Sequence, residues 1–99
     1  MSALNLRALF GIGTTASTTL VVVSPTVASV LLNSNSSRKG FVIFNTTGVL
    51  FVKLGLNASS TDYTQRLTAN TSWEVANYTG EVSAIKGSGT TNVLVTSIE

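Results

Sequence analysis

The chain has 99 residues, a net charge of +2, only 10% charged residues, and neither Cys nor His. Those numbers allow one domain and exclude disulfide staples and histidine-dependent chemistry. The six cations (Arg7, Arg38, Lys39, Lys53, Arg66 and Lys86) form no run longer than a dipeptide, so the dense basic face that phosphate neutralisation requires is excluded as well.

Residues 1–9 place Leu4, Leu6, Ala8 and Leu9 where a short helical turn and an extended segment fit equally well. Gly11 and Gly13 then break any helix. The apolar patch over residues 8–12 is shorter than the roughly 7 to 15 residues of a secretory signal followed by a cleavage site, so a signal peptide is not expected. No apolar run approaches the roughly 20 residues of a membrane helix. Residues 14–19 are small and polar and offer nothing to a core. Residues 20–23 and 27–32 are β-prone runs separated by Ser24-Pro25, and proline marks a bend or an edge. Residues 33–37 form a polar loop. This first third is apolar, uncharged and punctuated by glycine, the opposite of the disorder signature. It predicts an extended N-terminal arm over residues 1–37, carrying one or two candidate strands and ordering against a partner.

Residues 38–55 read Arg-Lys-Gly-Phe-Val-Ile-Phe-Asn-Thr-Thr-Gly-Val-Leu-Phe-Val-Lys-Leu-Gly. Two β-prone runs flank Asn45-Thr46-Thr47-Gly48, which predicts a β-hairpin with Gly48 at positive φ. The first arm is apolar at every position and the second at all but Lys53. A two-stranded antiparallel unit normally keeps one face wet, so the second face of this one needs a cover, another chain or an arm of this one.

Residues 57–61 form a loop. Residues 62–68 alternate, with Tyr63 and Leu67 expected inward. A turn at Ala69-Asn70 leads to a strand over 71–76, with Trp73 and Val75 on one face and Glu74 on the other. A turn at 77–80 precedes a strand over 81–86, with Val82 and Ala84 opposite Ile85. The Gly87-Ser88-Gly89 tip leads to a last strand over 92–98. Turn signals every 8 to 12 residues or so predict an all-β fold, a small antiparallel β-sandwich or barrel over residues 38–99. A compact part of only about 60 residues buries about 60% of its unfolded surface and is marginal alone. Without disulfides, and with four scattered acidic residues making a metal site unexpected, oligomerisation or docking on a larger body remains.

No catalytic constellation stands out. A serine nucleophile needs a general base, normally His. Glu74 and Glu81, expected outward on adjacent strands, are the nearest thing to a carboxylate pair and read more simply as solvated acids. Gly11-Ile12-Gly13 lacks the later glycine and the lysine of a phosphate loop. No enzyme activity and no cofactor are expected. Trp73, Tyr63 and Tyr78 are the candidate sugar-stacking platform, with core packing as the plainer role. Asn-x-Ser/Thr patterns begin at Asn35, Asn45, Asn57, Asn70 and Asn77, and matter only in a eukaryotic secretory setting.

One resemblance adds to these readings. Arg38-Lys39, Val42-Ile43-Phe44-Asn45, residues 50–55 (Leu-Phe-Val-Lys-Leu-Gly), Asp62-Tyr63-Thr64, Trp73-Glu74, Tyr78-Thr79-Gly80 and the terminal Glu99 together make residues 38–99 resemble small β-sandwich proteins of tailed bacteriophage particles. Asn70-Thr71-Ser72 departs from the Pro-Gly type of turn expected there, and residues 1–37 match nothing. The resemblance implies a virion structural protein of the capsid cement or decoration type. Its partners would be the major capsid protein and itself as a homo-oligomer, with three-fold positions of a shell favouring a trimer, and it would bind neither nucleic acid nor membrane. A neck or tail component and a carbohydrate-binding module are the alternatives. The expected capsid- or self-contact residues are Leu4, Leu6, Leu9, Phe10, Leu20 and Val22 of the arm, with Phe41, Phe44 and Phe51 of the apolar strands. Ordering an arm costs about 1 to 2 kcal/mol per residue, so apolar anchors are needed to offset it.

Overall fold

The structure, a computed structural model, describes residues 15–99. These form eight strands: β1 (Ala16–Val23), β2 (Ser29–Leu32), β3 (Gly40–Asn45), β4 (Leu50–Lys53), β5 (Gln65–Leu67), β6 (Thr71–Ala76), β7 (Val82–Lys86) and β8 (Thr91–Ile98). They make two four-stranded antiparallel sheets, with strand orders β1-β8-β3-β6 and β2-β7-β4-β5. We call these sheet A and sheet B. Packed face to face, they are the small β-sandwich that the turn spacing predicts.

The pairings nest: β4 with β5, β3 with β6, β2 with β7, β1 with β8. Four nested antiparallel pairs wrapped into two sheets make the jelly-roll arrangement of an eight-stranded sandwich. Strand alternation supplies the core. Val23, Phe41, Ile43, Val93 and Val95 project inward from sheet A, and Leu31, Leu50, Val52, Leu67, Val82 and Ala84 from sheet B. Trp73, Val75 and Tyr78 close it at one side.

Two expectations are corrected. β3 and β4 are not a hairpin: β3 lies between β8 and β6, and β4 between β7 and β5. Residues 46–49 instead carry the chain from one sheet to the other. Gly48 does take positive φ, at 68°, so the turn residue was legible and its partners were not. An Asn-Thr-Thr-Gly connection between two apolar strands suits a corner between sheets as well as a loop within one. The second correction concerns only the described part of the arm expected over residues 1–37, whose one or two candidate strands are present but do not stand apart from the domain. β1 and β2 belong to the sandwich, each on one sheet edge, and Val23 and Leu31 are core residues. The expected turn over residues 1–9 lies outside the described residues.

The cover for β4 comes from its own chain. On the outer face of sheet B, the Tyr63 ring tilts over Phe51, centroids 4.8 Å apart, so Tyr63 packs outside rather than in the core. In the 54–64 connection, the Ala58 amide donates to Ser83 Oγ at 3.1 Å, and Ser83 Oγ donates to the Gly55 carbonyl at 2.7 Å. Period-two reading misses this because the connection folds back over the sheet.

Polar side chains pin the ends of the sandwich. Asn45 is fully buried; its Nδ2 donates to the carbonyls of Gly48 (2.9 Å), Leu67 and Thr68 (both 3.1 Å). Its Oδ1 accepts from Lys86 Nζ at 3.2 Å, and the same ammonium donates to the Thr47 carbonyl. Burial pushes the Lys86 ammonium below the ordinary lysine range. The unfolded chain then holds this proton more tightly than the folded one. Stability therefore rises with pH across the window between the lowered folded value and the ordinary 10.5. In Lys86→Met that increment is expected to vanish, which urea unfolding of both proteins at stepped alkaline pH would read out. Elsewhere, Arg38 is buried and donates to the carbonyls of Asn33, Tyr78 and Gly80. At Gly80 a Cβ would sit 2.6 Å from the Tyr78 hydroxyl, so a side chain there would have to displace the Tyr78 ring.

Candidate interaction surface

In an antiparallel sheet, residues directly opposite one another project to the same face. Leu20, Leu94, Phe44 and Ser72 therefore make one row across the outside of sheet A. Thr18, Thr96, Val42 and Glu74 make the next. Val22 flanks the first row on β1. Leu20 and Val22 are each 60% exposed; Phe44, Val42 and Leu94 are half-buried by their neighbours. Glu74 is the one charged residue in the four strands of sheet A. The result is an outward face with apolar side chains on β1, β8 and β3 interspersed with Thr18, Thr96, Ser72 and Glu74; of these strands only β3 belongs to the stretch whose second face the sequence left unaccounted for.

The expected contact residues divide as follows. Leu20, Val22 and Phe44 come together on this face. Phe51 is on the opposite side of the molecule, under Tyr63. Phe41 is fully buried, with Trp73 and Tyr78 edge-on at 6.2 and 6.3 Å, so in the folded chain it presents nothing to a partner. Leu4, Leu6, Leu9 and Phe10 lie outside the described residues. Sequence reasoning missed Leu94 and Val42. The signal for Leu94 was Val93-Leu94-Val95, apolar in both phases of a strand.

Chemistry-bearing groups are not gathered. Trp73 and Tyr78 pack around Phe41 while Tyr63 sits on the other sheet, so the three aromatics form no common platform. Glu74 lies in sheet A and Glu81 just before β7 of sheet B, so they are not on adjacent strands as expected. Asp62 is paired with Lys53 at 2.6 Å. Among the described residues no three acidic groups come close enough to hold a metal ion. A recess of about 290 Å³ opens between the sheets at the start of β1, lined mainly by Ser17, Thr19, Ser97, Asn35, Arg38 and Glu99. Asn35 Nδ2 donates to a Glu99 carboxylate oxygen at 3.1 Å at its rim. No family model, curated protein or solved structure matches the chain.

Proposed function

We propose that this chain is a non-enzymatic structural protein of a virion. In this reading it is a capsid cement or decoration protein that binds the outer surface of a shell and reinforces contacts between major capsid protein subunits. The observation that carries the reading is the apolar, nearly charge-free outer face of sheet A. Burying such a face against a partner is favourable at about 25 cal/mol per Å² of apolar area, and many weak contacts on a symmetric shell add up through multivalency. Jelly rolls serve both viral capsid and lectin domains, an analogy at the level of fold. The dispersal of Trp73, Tyr78 and Tyr63 favours the first over the second. The resemblance of residues 38–99 to phage particle proteins points the same way. The role needs no cofactor and no catalytic group.

Labelled antibody against this chain, imaged on purified virions, tests the reading. Dense labelling over the whole shell is expected; labelling at a single vertex would move the chain to the neck or tail, and unlabelled virions would remove it from the particle. A second prediction concerns Leu20→Lys. At so exposed a site the change alters stability by about 0.5 kcal/mol or less. It places a charge on the apolar face, at its β1 edge, and capsid affinity is expected to fall about tenfold or more. Cosedimentation with stripped capsids measures it.

A further inference from the structure

Among the described residues the four sheet edges are not equally protected. Natural sheets guard their edges with short strands, charges, proline or bulges. β5 has three residues and carries Arg66, β2 has four residues and a register shift between Val30 and Leu32, and β6 carries Glu74. β1 has eight residues in unbroken register with β8, and contains no charge and no proline. Its sequence, Ala-Ser-Thr-Thr-Leu-Val-Val-Val, is the β-prone, uncharged kind that pairs when left open.

The hydrogen-bond phase of this edge can be read from its end. The Thr15 amide donates to the Glu99 carbonyl at 3.2 Å, and the Glu99 amide donates back to the Thr15 carbonyl at 2.8 Å. Such doubly bonded pairs recur at every second residue of an antiparallel ladder. Ser17, Thr19, Val21 and Val23 thus bond inward to β8, and the amides and carbonyls of Ala16, Thr18, Leu20 and Val22 point out of the sheet. The Val22 carbonyl confirms the phase, since it accepts from Ser29 Oγ at 3.1 Å rather than from β8.

We propose that the β1 edge pairs with β1 of a second copy of this chain, antiparallel about a two-fold axis normal to sheet A. A two-fold sets even residues opposite even residues, so each copy's outward amides meet the other's outward carbonyls around Thr18 and Leu20. The strand carries no charge, so two copies approach without repulsion. The axis keeps both outer faces on the same side, and Leu20 and Val22 of the two copies merge into one apolar strip running across an eight-stranded sheet. One strand edge buries less than the roughly 800 Å² per partner of a standard interface, so the dimer is a weak, reversible one. The proposal concerns self-pairing in solution and holds or fails independently of the virion role.

Sedimentation equilibrium of the purified chain and two variants tests it. Thr18→Pro removes an outward amide and costs no bond to β8, which is where an edge tolerates proline. Thr18→Val keeps that amide and loses only the side-chain bond to Thr96 Oγ1. The expected result is a dimer for the wild type and Thr18→Val, with dissociation at least about tenfold easier for Thr18→Pro. Hydrogen exchange on the unaltered chain gives a reading that does not depend on the proline variant folding. Amides of Thr18, Leu20 and Val22 gain protection as concentration rises, while those of Thr19 and Val21 are protected throughout. A monomer at every accessible concentration, a dimer indifferent to Thr18→Pro, or outward amides whose exchange ignores concentration would overturn the proposal. The last two would assign the contact to a different surface or a different occupant.

Discussion

Phe41→Ala is expected to lower the unfolding free energy by about 3 to 5 kcal/mol. The ring is fully buried at the centre of sheet A's inner face, with Trp73 nearly perpendicular to it at 88° and Tyr78 at 69°. Truncation removes the ring's own transfer free energy. It also opens a cavity that two large aromatics border and that neighbouring β-strands cannot collapse into without breaking ladders. Edge-to-face aromatic pairs add about 0.5 to 1.5 kcal/mol beyond area burial. Small domains rest on a total stability of only about 5 to 15 kcal/mol, so the variant should be close to unfolding at physiological temperature. Urea titration followed by Trp73 fluorescence measures this directly. A loss below about 1 kcal/mol, with capsid binding abolished, would instead make Phe41 a contact residue.

Asn45→Ala should cost a similar amount, about 3 to 5 kcal/mol, for a different reason. The side chain ties the β3–β4 corner, through the Gly48 carbonyl, to the β5–β6 connection, through the Leu67 and Thr68 carbonyls. Its oxygen also holds the buried Lys86 ammonium. Alanine leaves those carbonyls short of a donor and the ammonium short of an acceptor, in a place water reaches poorly. Part of the cost therefore belongs to the stranded charge. Asn45→Ala combined with Lys86→Met should be less destabilised than the sum of the single variants, by about 1 kcal/mol or more. Strict additivity in the double-mutant cycle would mean that Asn45 acts through its carbonyl contacts alone.

Much of the fold was legible in local sequence. The alternation of Trp73 and Val75 against Glu74, and of Val82 and Ala84 against Ile85, places these side chains on the faces they occupy. Turns were legible for a chemical reason: Asn57, Asn70 and Asn77 all adopt left-handed φ near 60°, a conformation asparagine tolerates better than other residues with a Cβ. That also gives three of the five Asn-x-Ser/Thr patterns a structural role. Pairing was not legible. Adjacent strands in sequence usually pair, but here β3 and β4 diverge into different sheets, and nothing in Asn-Thr-Thr-Gly distinguishes the two outcomes. The small, mostly polar residues 16–19 looked unfit for a strand because they bury nothing, yet they extend β1 along β8, where the backbone ladder suffices. The cover expected for the apolar strands of residues 38–55 is present for β4. Its location was not legible, because the 54–64 connection folds over sheet B while Leu20 and Val22 on sheet A stay 60% exposed.

The nesting of strand pairs also has a consequence during synthesis. β8 is the last of the eight strands in chain order, yet it lies between β1 and β3 in sheet A. Until β8 has emerged from the ribosome, β1 has no neighbour and β3 is bonded on one side only. The hydrophobic inner face of that half of the sandwich then cannot close. Sheet B and the β3–β6 pair can therefore form first, while sheet A is completed only once β8 is available, with a long loop-closure step and a correspondingly slow rate. During that interval β1 is open along both of its edges, so newly made copies crowded on one messenger RNA have the opportunity to exchange strands before each completes its own sheet.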